Sequence, residues 1–224
     1  MTNYRTPLIN DFYYHIINRS IAKYKIFSKK QVCERFIKTI DYYQTYPQTL
    51  SLSKYLENKH ENPIEPNINS NQQGKLVEII AYCLMPTHFH LILKQKINNG
   101  ISNYMSIVEN SFTKYFNILN KRKGTLWEDN FNRILIKSDE QLLHLTRYIH
   151  LNPVSSGLVA MPEYWDFSSY KEYLTRKNNK SGICNFRGII NIKPADYMKF
   201  VDERIEEQKQ LSIIKSQNDR NYSS

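Results

Sequence analysis

The pattern of apolar and polar positions changes period several times along the chain. Tyr13 to Arg19 (YYHIINR) is aromatic and β-branched, which predicts a first strand. Val32, Phe36, Ile40 and Tyr43 then recur at helical spacing, after a Ser28-x-x-Gln31 capping box. Pro47 is expected to end that helix. Leu50 to Leu56 fits either a short strand or a helical turn, and a polar insertion rich in Asn, Gln and Pro follows over about 57–74. Leu76 to Leu84 and His88 to Gln95 are two apolar runs parted by Pro86-Thr87, which predicts adjacent strands. Ile101, Met105, Val108, Phe112, Phe116 and Leu119 predict a long amphipathic helix closed by Gly124. Asn132 to Lys137 reads as a fourth strand.

The order strand, helix, strand, strand, helix, strand is the split βαβ, or ferredoxin-like, α+β layout: one antiparallel sheet with helices on one face. In it the first and third strands are the central pair, so His88 and His90 fall on a central strand. With the helices on one face, the histidines are expected on the open one. A further helix follows a second capping box, Ser138-x-x-Gln141. Leu142, Leu145 and Ile149 form its apolar stripe; His144, Tyr148 and Asn152 form a polar one; Pro153 is expected to stop it. We place a catalytic domain at residues 1–175 and an extension at 176–224, its last dozen residues disordered.

Composition narrows the partners. The 224 residues carry 31 Lys and Arg against 21 Asp and Glu, a net charge of +10, which favours a polyanion such as nucleic acid. The three cysteines lie far apart with no CxxC, which suits a reducing compartment and argues against a thiolate zinc site. No apolar leader follows Met1 and no run reaches the roughly 20 apolar residues a bilayer needs. A cytoplasmic protein is therefore expected.

His88 and His90 flank one residue, so in a strand both imidazoles share a face, which is half of a divalent-metal site. A phenol with pKa about 10 is a poor nucleophile, and a metal that polarises a scissile phosphate compensates for that. Tyr148 would attack phosphorus, and Asn152, one turn on, would give the metal an oxygen ligand. Taken singly, a helical tyrosine is normally a packing residue. Arg19, Lys94, Arg122, Arg133, Lys137 and Arg147 are candidate phosphate contacts, and Trp127 a candidate base-stacking or core residue.

The segment MPTHFHLIL, at residues 85–93, resembles the His-hydrophobic-His motif of the HUH superfamily of single-strand DNA endonucleases. RYIHLNPVSSGLV, starting at Arg147, with the later DFSSYKEYL, resembles the REP-associated branch of the single-tyrosine transposases. YHIINR and YFNILNKRKGTLWEDNFNRILI are similar to other parts of that family, so the resemblance spans roughly residues 10–175. Thr87 stands where relatives commonly carry Asn. The resemblance implies His88, His90 and Asn152 as ligands of Mg²⁺ or Mn²⁺, and Tyr148 as nucleophile. It implies binding of a hairpin in single-stranded DNA, cleavage beside it, a 5′-phosphotyrosine and a free 3′-OH. The oligomeric state stays open between monomer and homodimer. The alternative is a domesticated hairpin-binding protein that no longer cuts. A histidine-motif nucleotide hydrolase would need another histidine where Ile92 stands, and an RNA-processing endonuclease of this fold would have no need of Tyr148.

Overall fold

The computed structural model describes residues 7–61, 74–175 and 182–210. Four strands carry the fold: β1 (Tyr13–Arg19), β2 (Val77–Met85), β3 (His88–Gln95) and β4 (Asn132–Ile136). They form one antiparallel sheet in the order β2-β3-β1-β4, with β1 and β3 central as the layout requires. Helices α1 (Lys30–Tyr42), α2 (Leu52–Glu61) and α3 (Gly100–Leu119) occupy the connections before β2 and after β3. After β4 come α4 (Asp139–Ser155), α5 (Tyr170–Leu174) and α6 (Pro194–Asp202).

Side-chain alternation sorts the sheet into two cores. Tyr14, Ile16, Phe89, Leu91 and Leu93 meet Phe36 and Ile40 of α1 and Met105, Val108 and Phe112 of α3. On the opposite face Ile92 and Ile136 join Leu142 and Ile149 of α4 and Tyr197 and Val201 of α6. A bulge between Ile79 and Ala81 lets β2 serve both cores. Ile79 stays with the first, while Ile80 and Ala81 both enter the second. Burial on both faces explains why β2 reads as a continuous apolar run from Ile79 to Met85. The second face is thus not open: α4 is laid across it.

Several expectations are corrected. The residue at the N-cap of α1 is Lys29, with no side-chain cap, so the Ser28 box does not form. Ser138 does cap α4, accepting from the Gln141 N–H, while the Gln141 side chain reaches back to the Lys137 N–H. Helix α3 ends before Gly124: Lys121 takes the left-handed C′ place, and the Arg122 N–H bonds back to the Asn117 carbonyl. Leu119, assigned to its buried stripe, is 41% exposed. Pro153 lies inside α4, because the helix tolerates one missing N–H and runs on to Ser155. A Schellman turn at Gly157 (φ +67°) closes it, with Leu158 N–H to the Pro153 carbonyl and Gly157 N–H to that of Val154. Residues 52–61 are a helix, which takes the start of the supposed insertion; 62–73 and the supposedly disordered tail lie outside the described residues. Nor does residue 175 end the core, since Ile190, Tyr197, Val201 and Ile205 pack into it.

Candidate active site

The site is built where β1, β3 and α4 meet. A two-residue connection, Pro86-Thr87, turns β2 into β3 and places His88 opposite Met85. Main-chain bonds from Ser20 N–H to the Thr87 carbonyl (2.8 Å) and from Phe27 N–H to the Pro86 carbonyl (3.0 Å) hold that turn. His88 and His90 share a face, as the period of two requires, with ring centroids 5.0 Å apart. Both rings have Nδ1 engaged. His88 Nδ1 lies 3.1 Å from the Thr87 hydroxyl, and His90 Nδ1 lies 2.9 Å from Nε2 of His15. Each ring is thereby left with Nε2 as its free nitrogen.

Helix α4 brings the tyrosine. The Tyr148 ring stands edge-on to His90, with centroids 6.1 Å apart and planes at 87°, and it stays 43% exposed. Asn152, one turn further, is buried, and its amide nitrogen has no hydrogen-bond partner. Burial lowers the basicity of the imidazoles: His15 and His88 are each pushed down to about 4, with the Arg19 charge adding to the effect at His88. His90 falls well below its ordinary value through burial, then through its His15, His88 and Arg19 neighbours. Near neutrality all three rings are uncharged, as a metal ligand must be. Among the described residues no group of three or more His, Cys, Asp or Glu is placed to hold a metal. The Asn152 side chain, one helical turn beyond Tyr148 and with its amide nitrogen unpartnered, could add an oxygen ligand to two imidazoles. Two imidazoles and an amide oxygen leave positions open, as a catalytic cation requires.

The helix that carries Tyr148 is fixed from behind by a buried polar chain. Thr146 donates to the Leu143 carbonyl (2.7 Å), so its oxygen accepts from the Tyr197 hydroxyl (3.0 Å). The Tyr197 oxygen in turn lies 2.7 Å from His150 Nδ1, and His150 Nε2 lies 2.8 Å from the Ser169 hydroxyl. His150 is fully buried, and burial pushes its pKa down to about 3. His150 belongs to α4, and its ring faces Tyr197 of α6 and Ser169 just before α5 rather than His88 and His90, so it is an orienting residue.

The candidate DNA contacts divide. Arg19 lies beside the site, paired in register with His88. Lys94 shares the histidine face but sits at the far end of β3, with Asp11 at 3.4 Å and the Tyr13 ring beneath it. Arg122 is spent on the turn after α3, donating to Asn117 Oδ1 and the Thr125 carbonyl at 2.8 Å each. Trp127 is 7% exposed and packs on Phe36, Phe89 and Phe112, which places its ring in the core. Arg133 pairs with Ile16 in register and so points to the face away from the histidines. Lys137 is exposed at the start of α4. Arg147 stacks on Phe200 (3.9 Å) and donates to its carbonyl; with His144, Tyr148 and Arg204 it lines a cavity of about 200 Å³. His15 was not anticipated: strand alternation gives its face only once the register of β1 on β3 is known.

A split βαβ sheet that sets a helix-borne tyrosine against paired histidines is consistent with the HUH fold. Residues 48–152 match the model of the family described as "Transposase IS200 like". A curated protein of Haemophilus influenzae, named "Putative REP-associated tyrosine transposase", is 29% identical over 105 residues. That match covers 42% of this chain and spans 58% of the relative's length. A solved REP-associated tyrosine transposase, bound to a REP hairpin, superposes with a TM-score of 0.54 at 18% identity, covering 84% of this chain and 96% of that one. At such identity the likeness shows the fold. Together these comparisons bear out the resemblance to REP-associated tyrosine transposases read from the sequence.

Proposed function

We propose that this chain is a metal-dependent single-strand DNA endonuclease and strand transferase that recognises a DNA hairpin. The observation that carries the reading is the Tyr148 ring against His90, on the one sheet face that also holds His88 and Arg19. A hairpin substrate is the ligand of the solved relative, and the +10 charge suits it. Tyr148 Oη attacks the scissile phosphorus, the P–O3′ bond breaks, and the 5′ phosphate stays on tyrosine. The departing 3′ oxygen takes up a proton as a free hydroxyl. His88 Nε2, His90 Nε2 and the Asn152 amide oxygen would hold Mg²⁺ or Mn²⁺. When bound, such a cation polarises the phosphate and offsets charge building on it. The exposed edge of Tyr148 gives a flexible single strand access, whereas a regular duplex would first have to open.

The test is incubation with labelled single-stranded DNA from the flanks of its own gene, with Mg²⁺ or Mn²⁺, read on a denaturing gel. A protein–DNA adduct and a free 3′-OH product are expected. Tyr148→Phe keeps the ring packing and is expected to bind the hairpin without forming the adduct. An adduct formed by that variant would put the nucleophile elsewhere. Tight hairpin binding with no adduct from the unaltered protein would favour the non-cleaving hairpin binder.

A further inference from the structure

We propose that His15 is a positioning residue that fixes His90 in its ligand-competent tautomer; this rests on the metal-site reading above. His15 lies on β1, the strand that pairs directly with β3, and its register partner is Ile92. Alternation therefore turns its ring to the face that holds His90. The two rings are stacked, with centroids 5.1 Å apart and planes only 21° from parallel. His15 Nε2 stands 2.9 Å from His90 Nδ1, and both residues are 5% exposed.

One proton lies between those two nitrogens, and its owner decides what His90 can do. If His15 donates, His90 Nδ1 is the acceptor and its proton sits on Nε2. The nitrogen left for a cation then carries hydrogen and has no lone pair to give. If His90 donates through Nδ1, its Nε2 is bare and His15 accepts. Only the second arrangement makes His90 a ligand. A neutral imidazole with Nε2 as acceptor does here what a carboxylate or carbonyl commonly does behind a metal-bound histidine. Thr87 stands in the same relation to His88, through Nδ1. A paired strand on each side fixes the backbone of His15 and so the face to which its ring points. Both ligands thus have a partner behind them, and the partner of His90 comes from a different strand.

The test uses Mn²⁺ alone, followed by its free-ion EPR signal, on the full chain and three variants. His15→Leu keeps bulk but cannot accept, and is expected to weaken Mn²⁺ binding by about tenfold or more, the range seen when a ligand loses its orienting partner. His15→Gln offers an amide oxygen and is expected to recover most of that loss. His90→Ala is expected to lose the ion. If His90→Ala binds Mn²⁺ as the unaltered protein does, the metal site itself is wrong and this proposal falls with it. If His90→Ala loses the ion while His15→Leu keeps it undiminished, the site stands and His15 is not its positioner. Pulsed EPR is expected to count two directly bound imidazoles; three would make His15 a ligand and overturn the role. Nitrogen-correlated NMR of the unaltered, metal-free protein is expected to find the His90 proton on Nδ1. A proton on Nε2 would overturn the proposal even were His15→Leu to fold poorly.

Discussion

Acid should unfold this protein through His150 in a way one variant can isolate. The ring is fully buried within the second core, hydrogen-bonded to Tyr197 and Ser169, and its pKa falls from 6.5 to about 3 because burial disfavours the charged form. The unfolded chain takes up that proton near pH 6.5, whereas the folded one refuses it until about pH 3. A depressed folded pKa therefore gives stability that is full above pH 6.5 and lost as pH falls towards 3. Each pH unit in that window costs about 1.4 kcal/mol per group, so lowering the pH to 5 removes about 2 kcal/mol through His150 alone. His15, His88 and His90 lose stability in the same direction, so the measurement must be a difference. Urea unfolding of the unaltered protein and of His150→Gln, each at pH 7 and pH 5, provides it. The variant starts less stable, by roughly 1–3 kcal/mol for hydrogen bonds lost in a buried setting. Its further loss between the two pH values should be smaller by about 2 kcal/mol. Equal losses in both proteins would mean that His150 takes up its proton in the folded state, and the buried chain drawn from Thr146 to Ser169 would have to be wrong.

Other outcomes follow from the site. Substituting both His88 and His90 by Ala should abolish cleavage in Mg²⁺ or Mn²⁺ while circular dichroism stays native; unchanged cleavage would remove them from the chemistry. Trp127→Ala should cost about 3–5 kcal/mol of stability, the range for a large aromatic lost from a core, and a drop in hairpin affinity without a stability loss would contradict its packed position. Hairpin DNA should bind more tightly than plain duplex at physiological salt, with affinity falling as salt rises by a slope of about −0.7 per phosphate contact. Fluorescence anisotropy giving equal affinities for the two would leave only general basic adhesion.

Much of the fold could be read from the periodicities because each major element repeats its own pattern. The stripe of Val32, Phe36 and Ile40 is buried against the sheet, and β1 and β3 are central as the strand order demanded. Local spacing set which helix face carries Tyr148 and which strand face carries His88 and His90, while the expectation that the two meet came from the family resemblance. What stayed hidden depends on contacts distant in sequence. The face to which His15 points relative to His90 is set by the register of β1 on β3. Trp127 gives no local sign of burial, since it lies in an irregular segment and is enclosed by Phe36, Phe89 and Phe112 from three other elements. The same limit made the C-terminal segment read as an extension: Tyr197 and Val201 show an ordinary helical spacing that says nothing of where the helix docks.

That docking has a consequence for how many chains a reaction needs. Helix α4 folds back onto its own sheet, and the hydroxyl of Tyr197, on α6, reaches its buried side through His150 and Thr146. Residues far beyond the tyrosine thus help hold it over the histidines of the same polypeptide. A helix tied in this way is not free to be lent to a neighbour without breaking a buried chain of hydrogen bonds. In this conformation Tyr148 and the histidines it faces belong to one polypeptide and are held together by its own core.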